Sequence, residues 1–258
     1  AWAPHPGSQA LFLSCPLFEV LYHGTRGPGK TTALGADFAQ HVGQGFGAAW
    51  RGILFRRTYK QLDDVVAKMR ALFYRVFPGA RSNAGDYVWT FPQGESLLLR
   101  YMDNPADYWN YHGHEYPWIG WEELTNWPSL DCYDVMKSCC RSSHPTLPRK
   151  YRATANPWGV GHNAVKQRFI DAAPPGVPVV DDFGETRVHL FGHWSENLTL
   201  LGAQPDYPKR LAADTDPNRR KAWHGGSWDV TSGGMFDDLW QRGRHILPAF
   251  EIPKGWRI

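Results

Sequence analysis

The chain has 258 residues, 42% hydrophobic and 21% charged, with a net charge of +3 from 28 basic and 25 acidic side chains. That composition fits one large globular domain, or a core with an appendage, and excludes a protein that grips nucleic acid over its whole surface. No apolar run reaches the ~18 residues of a membrane span, and the four cysteines (Cys15, Cys132, Cys139, Cys140) show neither metal-ligand spacing nor a disulfide framework. A cytosolic protein with reduced thiols and no membrane partner is expected. Aromatic residues are numerous (13 Trp, 11 Tyr, 13 Phe), and most fall within apolar runs, which assigns them to a core before a base-stacking surface.

Residues 1–18, rich in Pro and Gly, read as an extended arm. Residues 19–22 (EVLY) form a short buried strand that runs into a glycine-rich loop, and a helix follows from Thr31 to about Val42. Residues 53–56 (ILFR) are a second strand. Residues 59–77 are an amphipathic helix in which Leu62, Val65, Val66, Met69, Leu72 and Phe73 recur at helical spacing until Pro78-Gly79 ends it. Residues 87–91 and 96–100, joined by Pro92-Gln93-Gly94, read as a hairpin. Residues 118–121 (WIGW) are a strand closed by two glutamates, residues 130–141 a helix, and residues 151–155 a strand ending at Asn156-Pro157. Strands alternating with helices predict an α/β fold with a mostly parallel sheet covered on both faces. After about Pro174 the pattern changes to loops, a strand at 187–191 and two short helices near 208–224. The division expected is a core over residues 1–195 and a small lid or linker subdomain over residues 196–258.

Residues 24–31 (GTRGPGKT) match G-x-x-x-x-G-K-[ST] at every fixed position. In such a loop the glycines let backbone N–H groups wrap phosphates, and the helix N-terminus behind them favours negative charge. Gly24, Thr25, Arg26, Gly27, Pro28, Gly29, Lys30, Thr31 and Thr32 are therefore the candidate nucleotide-binding residues. Lys30 would reach the β- and γ-phosphates of ATP, and the Thr31 hydroxyl would bind Mg²⁺. A phosphate loop also needs carboxylates at the end of a neighbouring strand. Glu122 and Glu123 have that placement, Glu122 on the Mg²⁺ side and Glu123 as general base. Because Asp is the usual residue at the first position and differs by one methylene, Glu122→Asp is expected to be mild. The bland alternative is a helix start that favours two acids. Thr154 and Asn156 end the next strand, where polar side chains can couple hydrolysis to the rest of the protein; a plain Asn-Pro turn explains them equally well. Arg26 could act within its own subunit. Arg141, Arg149 or Arg152 could reach a neighbour's site, or simply form a basic surface patch.

Taken together these segments resemble the large terminase family, the DNA-packaging motors of tailed double-stranded-DNA bacteriophages. The resemblance rests on Gln9 in the arm, the loop 24–31, the Arg-Arg-Thr ending of strand 53–58, and residues 111–124 (YHGHEYPWIGWEEL). It continues through residues 155–170 (ANPWGVGHNAVKQRFI) and 225–236 (GGSWDVTSGGMF). Two departures stand out: Glu122 where Asp is commoner, and His114 where relatives often place Arg. The resemblance implies a P-loop NTPase of the additional-strand, catalytic-glutamate type, with Gln9 on the adenine side. It also implies a homo-oligomer, a ring of five docked on the portal protein of a procapsid in the host cytoplasm, with double-stranded DNA and the small terminase subunit as partners. A nuclease domain would follow a segment like residues 252–258. Rival readings are a helicase or other translocase, a P-loop phosphotransferase acting on a small acceptor, and a nucleotide-binding module without turnover.

Overall fold

A computed structural model describes residues 2–83 and 85–230, with the isolated positions 245 and 255. The last six residues of the 225–236 stretch and most of 252–258 lie outside the described residues. The strands are β1 (Glu19–Gly24), β2 (Arg51–Arg56), β3 (Arg81–Asn83), β4 (Val88–Thr90), β5 (Ser96–Tyr101), β6 (Trp118–Trp121), β7 (Lys150–Ala155), β8 (Val179–Val180) and β9 (Thr186–Gly192). They form one sheet in the order β3-β4-β5-β2-β6-β7-β1-β9-β8. From β5 to β9 all neighbours are parallel, while β3, β4 and β8 run antiparallel at the two edges.

The helices are α1 (Ser8–Ser14), α2 (Lys30–Ala39), α3 (Leu62–Val76), α4 (Asp131–Met136) and α5 (His162–Val165, continued by a π turn over Lys166–Ile170). Three short ones follow β9: α6 (Leu198–Ala203), α7 (Tyr207–Ala212) and α8 (Pro217–Trp223). Strand side chains alternate between the faces of the sheet, so β1 sends Val20 and Tyr22 to one core and Leu21 to the other. The first core packs α2, α3 and Phe12 of α1; the second packs α4, the π turn and the Trp121–Trp127–Tyr133 ring cluster. Among the described residues no helix is long and apolar enough to cross a membrane.

The α/β reading of the sequence holds, with local differences. The arm is not extended throughout. It forms α1, because Phe12 stacks on Tyr22 at 5.2 Å and Ser8 bonds the Tyr22 hydroxyl at 2.8 Å. Packing of this kind fixes a seven-residue helix that propensity alone would leave unformed. Strands β3 and β8 have three and two residues, too few for an alternating pattern to register. Among the described residues after β9, α7 and α8 answer to the two short helices expected near 208–224, and α6 precedes them.

The middle of the sheet encloses charge. Asp37 on α2 is fully buried and accepts from the Trp118 indole at 2.8 Å and from the Lys150 ammonium at 3.0 Å, with the Arg152 guanidinium at 3.2 Å. Arg152 in turn donates to the carbonyls of Cys15, Leu17 and Phe18. One carboxylate thus ties the helix behind the phosphate loop to β6, β7 and the N-terminal arm. Breaking such a buried group by removing one partner costs about 3–5 kcal/mol. Asp37→Ala is expected to lower the free energy of unfolding by about that amount in urea titration; a loss under about 1 kcal/mol would contradict this account of the core.

Candidate functional site

In a sheet of this kind, ligands gather at the carboxyl ends of the parallel strands. β1 ends in the phosphate loop, β6 in Glu122-Glu123, β7 in Asn156 and β9 in Gly192, and register pairs bring these ends level: Gly24 with Gly192, His23 with Ala155, Trp121 with Ala153. A cavity of about 550 Å³ opens there, lined by Arg26, Gly27, Pro28, Gly29, Lys30, Thr31, Thr32, Glu123 and Asn156 from the expected set. Asp64 and Lys68 of α3 line it too, as do Asn197, Leu200 and Tyr207 from the segment after β9. Gly27 and Gly29 have φ of 98° and 87°, a left-handed backbone that only glycine adopts without strain and that lets the loop curl around an anion.

Lys30, 6% exposed, donates from Nζ to the Thr25 carbonyl and to Asn156 Oδ1, each at 2.7 Å. Burial lowers its pKa to about 8, opposed by the charges of Glu123 and Glu122. The other end of the Asn156 amide donates to Glu123 Oε1 at 2.5 Å. Glu123 has φ 58° and ψ 61°, a left-handed conformation unusual for a side-chain-bearing residue, and its N–H donates to Thr154 Oγ1 at 3.1 Å. The helix-start alternative for the acid pair is only a single 3₁₀ turn, Leu124–Asn126, for which Glu123 is the left-handed entry. Thr154 and Asn156 thus hold the backbone and the carboxylate of Glu123, which goes beyond what a plain turn requires.

The Thr31 hydroxyl donates to Glu122 Oε1 at 2.6 Å, and Glu122 is 3% exposed. Burial and the adjacent Glu123 push the Glu122 carboxyl up, while the Arg56 guanidinium, in ion-pair contact with Oε2, and the Thr31 bond push it back. Two hard oxygen donors side by side at the mouth of a phosphate loop fit Mg²⁺, which is bound by one or two side chains plus phosphate oxygens.

Of the expected residues, Glu122 and Thr154 lie behind the cavity wall, Gln9, Thr25, Arg141, Arg149 and Arg152 are outside it, and Arg26 lines its rim. Gln9 is buried behind the loop, donating to the Gly29 carbonyl at 3.2 Å and accepting from the His5 N–H at 2.7 Å. Its amide is engaged by backbone and braces the phosphate loop at Gly29. Thr25 is fully buried and uses its hydroxyl to accept from the Trp194 N–H at 2.7 Å. Arg26 is exposed and stacks its guanidinium on Trp223 of α8, 3.4 Å from the ring centroid. Arg152 is corrected outright: fully buried in the Asp37 network, it cannot reach a neighbouring molecule. Arg141 and Arg149 are exposed at the amino-terminal edge of the sheet, Arg141 bonded to the Gly113 carbonyl and Arg149 directly before β7. From that edge neither can serve the cavity of its own chain. The sequence reading missed Arg56, Asp64, Lys68, Asn197, Leu200 and Tyr207. Only Arg56 carried a signal, as a charge ending an apolar strand; Asn197, which donates to the Gly27 carbonyl at 2.6 Å, is set by tertiary contact alone.

Beneath the loop runs a directional hydrogen-bond chain. The Trp228 indole donates to His23 Nδ1 at 2.9 Å, His23 Nε2 donates to His189 Nδ1 at 2.8 Å, and His189 Nε2 donates to the Ala173 carbonyl at 2.7 Å. An indole only donates and a carbonyl only accepts, so both imidazoles are neutral. Burial lowers the pKa of each, and His23 is lowered further by His189 and Lys30. His162 closes the arrangement, accepting from the Trp158 N–H and donating to the Trp228 carbonyl, both at 3.0 Å. Burial lowers its pKa as well.

No protein-family model matches the sequence, and no curated protein sequence matches it either. Solved structures do match. The large terminase of a thermophilic bacteriophage, in complex with ADP, superposes with a TM-score of 0.66 at 16% identity, covering 97% of this chain and 60% of that one. The large terminase ATPase domain of Thermus phage P74-26 superposes at 0.60 with 12% identity, covering 88% and 94%. The N-terminal domain of the DNA packaging ATPase from bacteriophage phi29 gives 0.50 at 13% identity, over 70% and 93%. The chain therefore shares the terminase ATPase fold, and spans less than two thirds of the length of the first of these proteins.

The neutral histidines make stability pH-dependent. Their folded pKa values lie below the unfolded value of about 6.5, so their contribution is complete above that pH and is lost as pH falls toward the folded values. The histidine contribution is read as the difference between the parent and His23→Gln: the parent's urea midpoint should fall more steeply than the variant's as pH drops below about 6.5, and the two should run parallel above it. A parent midpoint that falls no more steeply than the variant's would contradict the assigned tautomers.

Proposed function

We propose that this chain hydrolyses ATP to drive double-stranded DNA into a procapsid, as the ATPase part of a large terminase. The observation that carries the reading is the convergence of Lys30, the Thr31–Glu122 pair and the Asn156–Glu123 pair on one cavity, within a fold shared with terminase ATPases.

In this reading the β- and γ-phosphates lie on the N–H groups of residues 27–31, and Lys30 leaves the Thr25 carbonyl and Asn156 to meet them. Bound Mg²⁺ would neutralise phosphate charge, with the Thr31 hydroxyl and Glu122 holding its site. Glu123 takes a proton from the attacking water as the water oxygen bonds to the γ-phosphorus and the bond to the β–γ bridging oxygen breaks, giving ADP and phosphate. When Lys30 turns away, Asn156 keeps its bond to Glu123 but loses one partner, so the strand end registers the presence of the γ-phosphate. Arg26 can swing from Trp223 toward the phosphates of its own site, and Arg141 or Arg149 would serve a neighbouring copy in a ring. Leu200 and Tyr207 supply an apolar wall of the cavity, so residues 196–230 act as a lid.

The remaining parts of the proposal are a ring of five on the portal protein, the small terminase subunit as partner, action in the host cytoplasm, and a nuclease domain following this segment. They rest on the sequence resemblance together with the shared fold.

Lys30→Ala is expected to lose both nucleotide binding and turnover. Glu123→Gln should keep binding and lose turnover by roughly 10²–10⁴-fold, because it retains shape without basicity. Phosphate release and nucleotide binding, measured side by side, check both; a Glu123→Gln protein within a few-fold of the parent would remove Glu123 as the base, and a phosphorylated acceptor in place of free phosphate would favour a phosphotransferase. If Arg141 or Arg149 acts between subunits, specific activity should rise with protein concentration and fall on changing that residue to Ala. Activity flat across a wide concentration range would count against it.

A further inference from the structure

We propose that Arg56 is a positioning residue that holds the Glu122 carboxylate beside the Thr31 hydroxyl, where the two would hold a metal ion. This rests on the ATPase reading above and adds to it a residue from β2, outside the phosphate loop and the acidic pair.

Glu122 is longer by one methylene than the aspartate usual at this place, and the extra torsion must be restrained if its carboxylate is to hold a metal-facing position. The structure supplies a restraint at each oxygen. Oε1 accepts from the Thr31 hydroxyl at 2.6 Å, and Oε2 is in ion-pair contact with Arg56 Nη1. Arg56 is itself held: its Nε donates to the Gln61 carbonyl at 3.3 Å and its Nη1 to the Glu122 carbonyl at 3.2 Å. Its side chain is 12% exposed, and that of Glu122 is 4% exposed. The planar, permanently charged guanidinium therefore bridges β2, the end of β6 and the turn that opens α3, and it presents a fixed face to a carboxylate that no other cation contacts among the ion pairs described. An aspartate here would draw the carboxylate back by one methylene from Thr31 and Arg56, so in this reading Glu122→Asp loosens at least one of the two restraints. Arg56 touches neither the expected phosphates nor the metal and acts through Glu122, as partners of ligating groups generally do.

The test measures Mg²⁺ dependence by binding as well as by turnover. A fluorescent ATP analogue is titrated onto the protein in EDTA and then with increasing Mg²⁺, for the parent, Arg56→Ala, Arg56→Lys, Glu122→Gln and the Arg56→Ala/Glu122→Gln double variant. Binding in EDTA should be unchanged by Arg56→Ala, which shows that the loop is intact. The Mg²⁺ midpoint for binding should rise by roughly 10–100-fold, as for other partners that orient a metal ligand. In the Glu122→Gln background the same change should add nothing, because the carboxylate through which Arg56 acts is gone. Arg56→Lys, which keeps the charge but lacks the bridging geometry, should recover only part of the loss, and it carries the comparison should Arg56→Ala fail to fold. A parent that binds no analogue, or that releases no phosphate from ATP with Mg²⁺ present, would sink the ATPase reading itself, whereas analogue binding that ignores Mg²⁺ in a parent that turns over would overturn the role of Arg56. With a Mg²⁺-dependent parent, an unshifted or lowered midpoint in Arg56→Ala, or an equal shift with and without Glu122, would overturn the role of Arg56 alone.

Discussion

The site is organised by the need to satisfy one buried ammonium. Lys30 is 6% exposed, and among the described residues its ammonium bonds the Thr25 carbonyl and the Asn156 side chain. Burying an unpaired ammonium is prohibitive, so those two groups must be where they are. Asn156 is the hinge of the arrangement, because its single amide faces both ways: the oxygen to the lysine that would meet phosphate, the nitrogen to the glutamate that would activate water. Thr154 then fixes the backbone of that glutamate in a left-handed conformation costing about 1–2 kcal/mol, strain that persists only where surrounding contacts determine it.

Such a chain requires β1, β6 and β7 to end at the same level, and buried charge within the sheet enforces this. Asp37 lies on the helix that the phosphate loop opens, and its partners Trp118, Lys150 and Arg152 lie on β6 and β7. A shift of either strand relative to α2 would leave charge unpaired in the core. The neutral histidine chain under the loop and the indole of Trp228 tie the same strand ends to the segment that follows α8. The Lys30–Asn156 end of the cavity thus has a short covalent and hydrogen-bonded route to residues beyond the sheet.

The parts of this that could be read in the sequence are those where local pattern and chemistry coincide. Residues 24–31 carry both a fixed spacing and a strand–loop–helix context, and they fold as expected. The acid pair was visible because it closes an apolar strand. Arg152 was misplaced, and the bracing role of Gln9 was not foreseen, for one reason: a polar residue in sequence shows what it could bond and not where its partners lie. The amide of Gln9 is consumed by backbone at His5 and Gly29, and the guanidinium of Arg152 by Asp37 and three carbonyls. Asn197 and Tyr207 reach the cavity from more than 160 residues beyond the loop, by a fold in which β9 lies beside β1, and no local periodicity encodes that contact.

The central claim, that Lys30 is held in reserve by Thr25 and Asn156 until phosphate arrives, is tested most directly by a crystal structure of the chain with Mg²⁺ and a non-hydrolysable ATP analogue. The account predicts the β- and γ-phosphates on the N–H groups of residues 27–31, Lys30 turned from both of its partners onto phosphate oxygen, and the Asn156–Glu123 bond retained. An analogue bound elsewhere, or bound in the cavity with Lys30 still on Thr25 and Asn156, would contradict it.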